Sequence, residues 1–307
     1  MQFQTNARRL AWITRAGMLI AMLCLCLPFV ASAGDTSDQK VGSVLFFNRY
    51  TSNAFNPSVE DTQINITNTN QYSGVSVHLF FIDGRDCSPS DSFIYLTAAQ
   101  TASFTASYLD PGVSGYIMAV ATSGGSPTQF NHLAGNALIK TADGCYADLP
   151  AVAVCKLTAG SLGNANSTAN IVFDGSQYER LPGVVALSSF NSPVTDKTTM
   201  YLYSPSPDMI QANTSGSSVF MLVYNDIEAS RSTSANIGCY TAVPLSGLRI
   251  LNTWAGHVPP GRTGWIRMQS SKPLLGASLS KGSMYTGGRN FTTISTYSSW
   301  TVSVPVY

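Results

Sequence analysis

Alternation of apolar and polar residues is the feature that most constrains how this chain can fold. The run VSVHLFFI at 75–82 places an apolar residue at every second position, as do TMYLY at 199–203 and WTVSVPV at 300–306. Residues two apart lie on one face of a β-strand, so each run predicts a strand with at least one buried face. Clusters of Gly, Pro, Asn and Asp separate such runs at intervals of about 8–12 residues, as in sandwiches and barrels. We therefore predict an all-β fold.

Three segments of the first half recur, in the same order, in the second half. They are PGVSGYI at 111–117 with PGRTGWI at 260–266, LFFID at 79–83 with LVYND at 222–226, and GSVLFFN at 42–48 with GVVALSSFN at 183–191. In the first pair, a Pro-Gly turn leads into an apolar strand whose second residue is a large aromatic. Three matches in order predict a tandem repeat.

The repeat divides the chain into two domains, at 41–155 and 171–307. Residues 156–170 (KLTAGSLGNANSTAN) are rich in Gly, Asn and Ser, which predicts a linker. Each domain has the length and strand count of an antiparallel immunoglobulin-like β-sandwich, although the Cys-Trp-Cys spacing of true immunoglobulin domains is absent. An outer-membrane barrel is the alternative. It is disfavoured because Pro305, Ser303 and Thr301 occupy the register counted back from Tyr307, where apolar residues are expected.

The N-terminus has the pattern of an export signal. Basic residues at 8, 9 and 15 precede the apolar run MLIAMLCLCLPFV at 18–30, and Ala31, Ser32 and Ala33 supply the small residues that a signal peptidase needs. We predict a signal peptide at 1–33, cleaved after Ala33, and no membrane span in the mature chain. An uncleaved anchor is the alternative, although the run is short for spanning a bilayer. The predicted location is the cell surface, the extracellular space or the periplasm.

Few residues carry charge. Charged residues make up 11% of the chain, and 14 basic groups against 16 acidic ones remain once the three arginines of the signal are removed from the 17 basic residues. A binder of nucleic acid needs clustered Lys and Arg, so that class is excluded. Abundant Ser, Thr and Asn supply the polar surface instead.

Four cysteines remain after the signal, namely Cys87, Cys145, Cys155 and Cys239. Export to an oxidising compartment favours two disulfides. We predict Cys87–Cys145 within the first domain and Cys155–Cys239 between the domains. One bridge within the first domain and two free thiols is the alternative. The spacing does not match a zinc site or a redox pair.

No motif identifies a reaction. The histidines His78, His132 and His257 lack metal-ligand spacing, and Ser114 lies in the repeated turn, where the second copy has Thr263. We predict no catalytic residue, no metal ligand and no cofactor. Tyr201 and Tyr203 share one strand face and are a candidate platform for stacking a sugar; cross-strand packing is the alternative.

The signal sequence and the repeated P-G-x-x-G-[YW]-I segments resemble those of secreted bacterial surface proteins built from tandem immunoglobulin-like sandwiches. The resemblance carries no activity and no functional residues, and our first hypothesis is an exported, non-enzymatic structural, adhesive or surface-interaction protein. Its partners would be other surface proteins, glycans, or a second copy through strand-edge pairing, for which 300–306 is the candidate edge. A carbohydrate- or surface-ligand-binding module is the alternative, followed by a hydrolase with an unfamiliar site.

Overall fold

The computed structural model describes residues 36–163, 165–213, 216–251 and 253–307. These residues form antiparallel sheets with two helices of four residues each, α1 (Ala106–Leu109) and α2 (Trp254–His257), so the predicted all-β class is confirmed. The predicted signal peptide and its cleavage after Ala33 lie outside the described residues. None of the helices described is long and apolar enough to cross a bilayer.

The first half of the described chain, residues 36–163, contains ten strands. They are β1 (Val44–Thr51), β2 (Asp61–Asn68), β3 (Val75–Asp83), β4 (Pro89–Leu96), β5 (Thr101–Thr105), β6 (Ser114–Ser123), β7 (Ser126–Pro127), β8 (Leu133–Lys140), β9 (Tyr146–Pro150) and β10 (Val152–Val154).

The second half, residues 165–307, contains eleven described strands. They are β11 (Thr168–Phe173), β12 (Pro182–Asn191), β13 (Lys197–Tyr203), β14 (Ser217–Asn225), β15 (Ser230–Ile237), β16 (Tyr240–Pro244), β17 (Thr263–Ser270), β18 (Leu275–Lys281), β19 (Thr286–Asn290), β20 (Thr292–Thr296) and β21 (Trp300–Pro305). A short 3-10 helix, Leu245–Gly247, follows β16.

The two halves share one strand order. Sheet 1 has the order β10-β1-β6-β3-β4, with β7 paired to β6, and sheet 3 has the order β20-β12-β17-β14-β15. Sheet 2 is β5-β2-β8-β9 and sheet 4 is β16-β13-β18-β19. Each strand of sheets 1 and 2 except β7 therefore has a counterpart in sheet 3 or 4, taken in chain order. The internal repeat inferred from three short segments extends to nine strands of each half.

A β-bulge recurs with the strand order. The β1–β6 register shifts between Phe47 and Tyr50, and the β12–β17 register shifts between Leu187 and Phe190. Phe47 and Leu187 pair with Ile117 and Ile266, the last residues of the repeated PGxxG[YW]I segments. The bulge is therefore part of the repeat.

The pairing corrects two of the sequence alignments. Phe81 pairs with Ile117 and Val223 pairs with Ile266, so 79–83 corresponds to 221–225, one residue before the predicted match. In the same way, Val44 corresponds to Val184, again one residue from the predicted register. A one-residue slip exchanges the two faces of a strand, so the structural register decides which side chains are equivalent.

Each half has a core between two facing sheets. In the first half, sheets 1 and 2 enclose a cluster that includes Phe47, Ile64, Leu79 and Ile139. In the second half, sheets 3 and 4 enclose a cluster that includes Leu187, Met200, Met221 and Ile266. The described residues nevertheless belong to one compact unit, and the predicted boundaries at 41–155 and 171–307 remain predictions.

The central strands of sheet 1, which are β1, β3 and β6, are buried on both faces. All eight residues of β1 are buried, because the face opposite sheet 2 packs against the second half. There, Phe46, Phe80 and Met118 meet a two-stranded ladder of β11 and β21, which contributes Phe173 and Val302. Burial on both faces explains why β1, β3 and β6 contain nearly continuous apolar runs rather than strict alternation.

The C-terminal strand is not a free edge. β21 pairs along its whole length with β11, and on its other side Met209 N–H donates to the Ser303 carbonyl at 2.9 Å. Val302 and Val304 are buried. The chain itself occupies one edge of β21 along the strand and the other edge at Ser303, and the prediction that 300–306 offers an edge to a partner stays a prediction.

One disulfide joins the two halves. It links Cys87, after β3, to Cys239, before β16, whereas Cys145 and Cys155 are free thiols. The predicted pairs Cys87–Cys145 and Cys155–Cys239 are therefore wrong. Spacing along the chain could not indicate that the turn after β3 packs against the turn after β15.

The disulfide provides the first testable prediction. Replacing both Cys87 and Cys239 with Ser should lower the free energy of unfolding by about 3–5 kcal/mol, because the link closes a long loop in the unfolded chain. Its sequence separation is 152 residues. Urea unfolding monitored by circular dichroism measures the change.

The control for this experiment is Cys155→Ser, which removes a half-buried free thiol and should change stability by less than about 1 kcal/mol. Peptide mapping without reductant should recover a Cys87–Cys239 peptide. A Cys87–Cys145 or Cys145–Cys155 peptide would contradict the assignment.

Candidate functional site

The predicted aromatic platform at Tyr201 and Tyr203 is buried where the two halves meet. Tyr203 has no exposed surface, and its ring stacks on Tyr116 with centroids 4.0 Å apart. Tyr201 is partly buried beneath the Arg49 guanidinium, which lies 3.9 Å from its ring centroid. The prediction of a sugar platform at this pair is wrong, because the second half packs its β13 face against the first half.

Asn48, within the β1 bulge, is the centre of a buried hydrogen-bond network between the halves. Its Nδ2 donates to the Gly276 carbonyl at 3.1 Å and to Asn290 Oδ1 at 2.8 Å, while its Oδ1 accepts from the Tyr203 hydroxyl at 2.7 Å. Asn290 Nδ2 in turn donates to the Pro150 carbonyl at 2.7 Å. Bulges commonly redirect side chains in this way.

Arg49, next to Asn48 in the bulge, is a buried cation. Burial alone would lower the pKa of Arg49, but Tyr240 and Tyr201 and a hydrogen bond to Tyr240 raise it above its ordinary value. Its Nη1 donates to the Tyr240 hydroxyl at 3.5 Å, and its Nε has no hydrogen-bond partner among the described residues. The guanidinium therefore stays charged and is held mainly by the aromatic rings.

The histidines occupy separate structural positions. His78 Nε2 lies 2.8 Å from Asp91 Oδ2, and the His78 ring stacks on Phe93 at 3.9 Å. His257 Nε2 lies 3.1 Å from the Val223 carbonyl, and the His132 ring meets Phe130 edge-on. Within the described part of the chain, no ring nitrogen of the three is hydrogen-bonded to a hydroxyl or a thiol, and no group of His, Cys, Asp and Glu could hold a metal.

Both free thiols are held in the protonated form. Burial raises the pKa of Cys145, and burial together with Glu179 raises the pKa of Cys155. A nucleophilic cysteine needs the opposite shift, because the thiolate is the reactive form.

An open cleft lies between the two halves beside the Asn48 network. Its volume is about 690 Å³, and both bulges line it, through Asn48 of β1 and Ser188 of β12. Asp38 accepts a hydrogen bond from Asn290 at 3.1 Å on one wall, and Arg289 donates to Ser188 at 3.4 Å at the rim. These side chains were not predicted, since the sequence does not indicate that residues 36–39 pack near β19.

The outer face of sheet 3 carries exposed apolar side chains. Phe220, Leu222 and Tyr224 alternate along β14 on the side away from the core, and Phe220 is 41% exposed. Tyr224 pairs with Trp265 of β17, and their rings are parallel at 4.3 Å. Ile294 of β20 is half-exposed. The alternation in FMLVY at 220–224 could have predicted that one face of β14 is exposed. The repeat was aligned one residue out of register, so Leu222 was matched to Leu79, which faces the core, instead of to Phe80.

The corresponding face of the first half is covered. Phe80 and Ile82 are the counterparts of Leu222 and Tyr224, and Tyr116 is the counterpart of Trp265. They belong to the buried cluster that includes the β11–β21 ladder, in which Tyr116 stacks on Tyr203 of β13, whereas no described strand forms such a ladder over sheet 3. The duplicated face is therefore an interior in one half and a surface in the other.

Comparison with known proteins identifies no family for this chain. No family model matches it, and no curated protein matches it. Among solved structures, it is similar to one described as the crystal structure of PBSX exported protein XepA, with 10% sequence identity and a TM-score of 0.22. The match covers 77% of this chain and 84% of that one. A similarity this low carries no argument about fold or function.

The Asn48 network provides a second prediction. Asn48→Ala should lower the free energy of unfolding by about 2–4 kcal/mol, because it leaves the Tyr203 hydroxyl without its acceptor and Asn290 Oδ1 without its donor in a buried setting. Urea unfolding measures the loss. Asn236→Ala, on the exposed side of β15, is the control and should cost less than about 0.5 kcal/mol. Equal losses in the two variants would contradict a special role for Asn48.

His78 provides a third prediction, on pH. Burial lowers the pKa of His78, although its hydrogen bond to Asp91 opposes the shift. The unfolded chain, with a histidine pKa of about 6.5, then binds the proton more readily than the folded protein. His78 thus contributes its full stability above that pH, and stability falls as the pH drops below it.

Unfolding free energies at pH 7.5 and 5.5 test this linkage. Wild type should lose more stability than His78→Gln on acidification, by at most about 1.4 kcal/mol per pH unit. The exposed His132→Gln should behave like wild type. An identical pH dependence for wild type and His78→Gln would disprove the linkage.

Proposed function

We propose that this chain is an exported, non-enzymatic structural or adhesive protein that acts through the outer face of sheet 3. The observation that carries the proposal is the difference between the repeats. The same sheet face is covered by the β11–β21 ladder in the first half and lies open in the second, where Phe220 is 41% exposed. Exposed apolar patches of this kind mark interaction sites.

The proposed occupant of this face is the same face of a second copy. Arg267 is the charged residue at its centre, where it donates to Gln269 at 2.9 Å, and β15 borders it with Ser230, Ser232 and Ser234. A two-fold axis through the patch would bring Phe220, Leu222 and Trp265 of both copies together. That contact supplies apolar cover of the kind that the first half obtains from its own chain.

The halves are proposed to be tandem immunoglobulin-like sandwiches. Support comes from the two facing sheet pairs, each with its own core and the same strand order. Export, with cleavage after Ala33, is supported by the basic and apolar pattern of residues 1–33 and by the Cys87–Cys239 disulfide, since disulfides persist in oxidising compartments.

Self-association of the exported chain tests this function. Wild type should form a dimer in sedimentation-velocity experiments at micromolar concentrations. Phe220→Asp should weaken the dimer by about tenfold or more, because it replaces a large apolar side chain of the contact with a carboxylate that would have to give up its hydration.

Phe55→Asp is the matched control, since Phe55 is 99% exposed on a loop of the first half and lies outside the proposed contact. It should leave association unchanged. A monomeric wild type, or equal association of wild type and Phe220→Asp, would reject the proposal. Binding of a glycan or of a different surface protein at this face would replace the second copy as its occupant.

A further inference from the structure

We infer that the cleft between the two halves binds a short neutral oligosaccharide. The inference concerns a different surface from the outer face of sheet 3 and does not rest on self-association. The cleft has a volume of about 690 Å³, within the range of about 300–1,000 Å³ that small-molecule sites occupy.

The cleft is built by both copies of the repeat. The bulge in β1 directs Asn48 into it, and the corresponding bulge in β12 places Ser188 on its wall. Asn48 and Asn290 form its polar floor, and their mutual hydrogen bond of 2.8 Å fixes both amides in one orientation. A floor held in this way needs no rearrangement when a ligand arrives, which favours binding.

Charge points to a neutral ligand. Among the described residues that line the cleft, Asp38 and Arg289 carry charge, one of each sign. A phosphorylated ligand would meet a single cation together with a carboxylate, which disfavours nucleotides. A purely apolar ligand is disfavoured too. It would remove water from Asp38 and the amide floor and would offer no hydrogen bonds in place of those that these groups make to water.

The chemistry of the lining suits a sugar. The Asp38 carboxylate accepts hydrogen bonds from hydroxyl groups, and the Arg289 guanidinium donates to ring and hydroxyl oxygens. Pro150 is exposed in the same cleft and supplies apolar surface for the C–H face of a sugar ring. Apolar surface with a few fixed polar groups is the usual composition of small-molecule sites.

Calorimetric titration of the exported chain with cellotriose, maltotriose and chitotriose, each separately, tests the inference. At least one of them should bind. Arg289→Gln removes a rim donor whose partner in the structure is Ser188, and it should weaken binding by about tenfold or more. Asp38→Asn should weaken it similarly, by replacing an acceptor-only group.

Matched controls separate the site from general effects. Arg249→Gln and Asp148→Asn change an exposed arginine and an exposed aspartate outside both the cleft and the outer face of sheet 3, and they should leave the dissociation constant unchanged. Asp38 also anchors residues 36–39 by accepting a hydrogen bond from Asn290, so the thermal unfolding of Asp38→Asn is measured alongside. If Asp38→Asn proves to be destabilised, the binding result for Arg289→Gln alone tests the inference. Arg289→Gln should leave self-association unchanged, so failure of one proposal is distinguishable from failure of the other.

Two results would overturn the inference. The first is the absence of binding by all three sugars at millimolar concentration, and the second is unchanged binding by Arg289→Gln. If an extended peptide, titrated in the same way, binds more tightly than all three sugars, the cleft is assigned to a different ligand.

Discussion

Burial of sheet 1 on both faces is the constraint on which the rest of the structure depends. One face packs on sheet 2, as an ordinary sandwich does, and the other needs cover that the first half cannot provide. The β11–β21 ladder provides that cover, so the first and last strands of the second half stabilise the first half. An apolar sheet with two covered faces also requires the two halves to remain in contact, because separation would expose Phe46, Phe80 and Met118 to water.

The contact between the halves combines several kinds of interaction. The apolar face contributes buried apolar area, and the hydrogen bonds of Asn48 fix the orientation of one half relative to the other. The Cys87–Cys239 disulfide restricts the conformations of the unfolded chain. Hydrogen bonds between buried amides require specific distances and angles, whereas apolar contacts tolerate sliding. The buried network therefore fixes one relative position of the halves, and the cleft beside it owes its shape to that position.

Much of the fold was predictable from the sequence, but little of the candidate site was. Alternation identified the strands, and PGVSGYI with PGRTGWI identified the repeat, because both signals are local. The bulges were not recognised, and the match of Phe47-Asn48 to Phe190-Asn191 was wrong, because the pairing aligns Phe47 with Leu187 and Tyr50 with Phe190. The partners of Cys87 and the burial of Tyr201 and Tyr203 depend on how the halves meet, which no local pattern encodes.

The placement of β21 has a consequence for the order in which the chain can fold. The ladder that covers sheet 1 consists of β11 and β21, so both of its strands follow every strand of sheet 1 in the sequence. Until β21 pairs with β11, one face of sheet 1 lacks this cover, although all the strands of the sheet are present. Contacts this distant in sequence form late, so we expect Phe46, Phe80 and Met118 to stay exposed to water until late in folding. A variant that lacks β21 would keep that apolar face exposed.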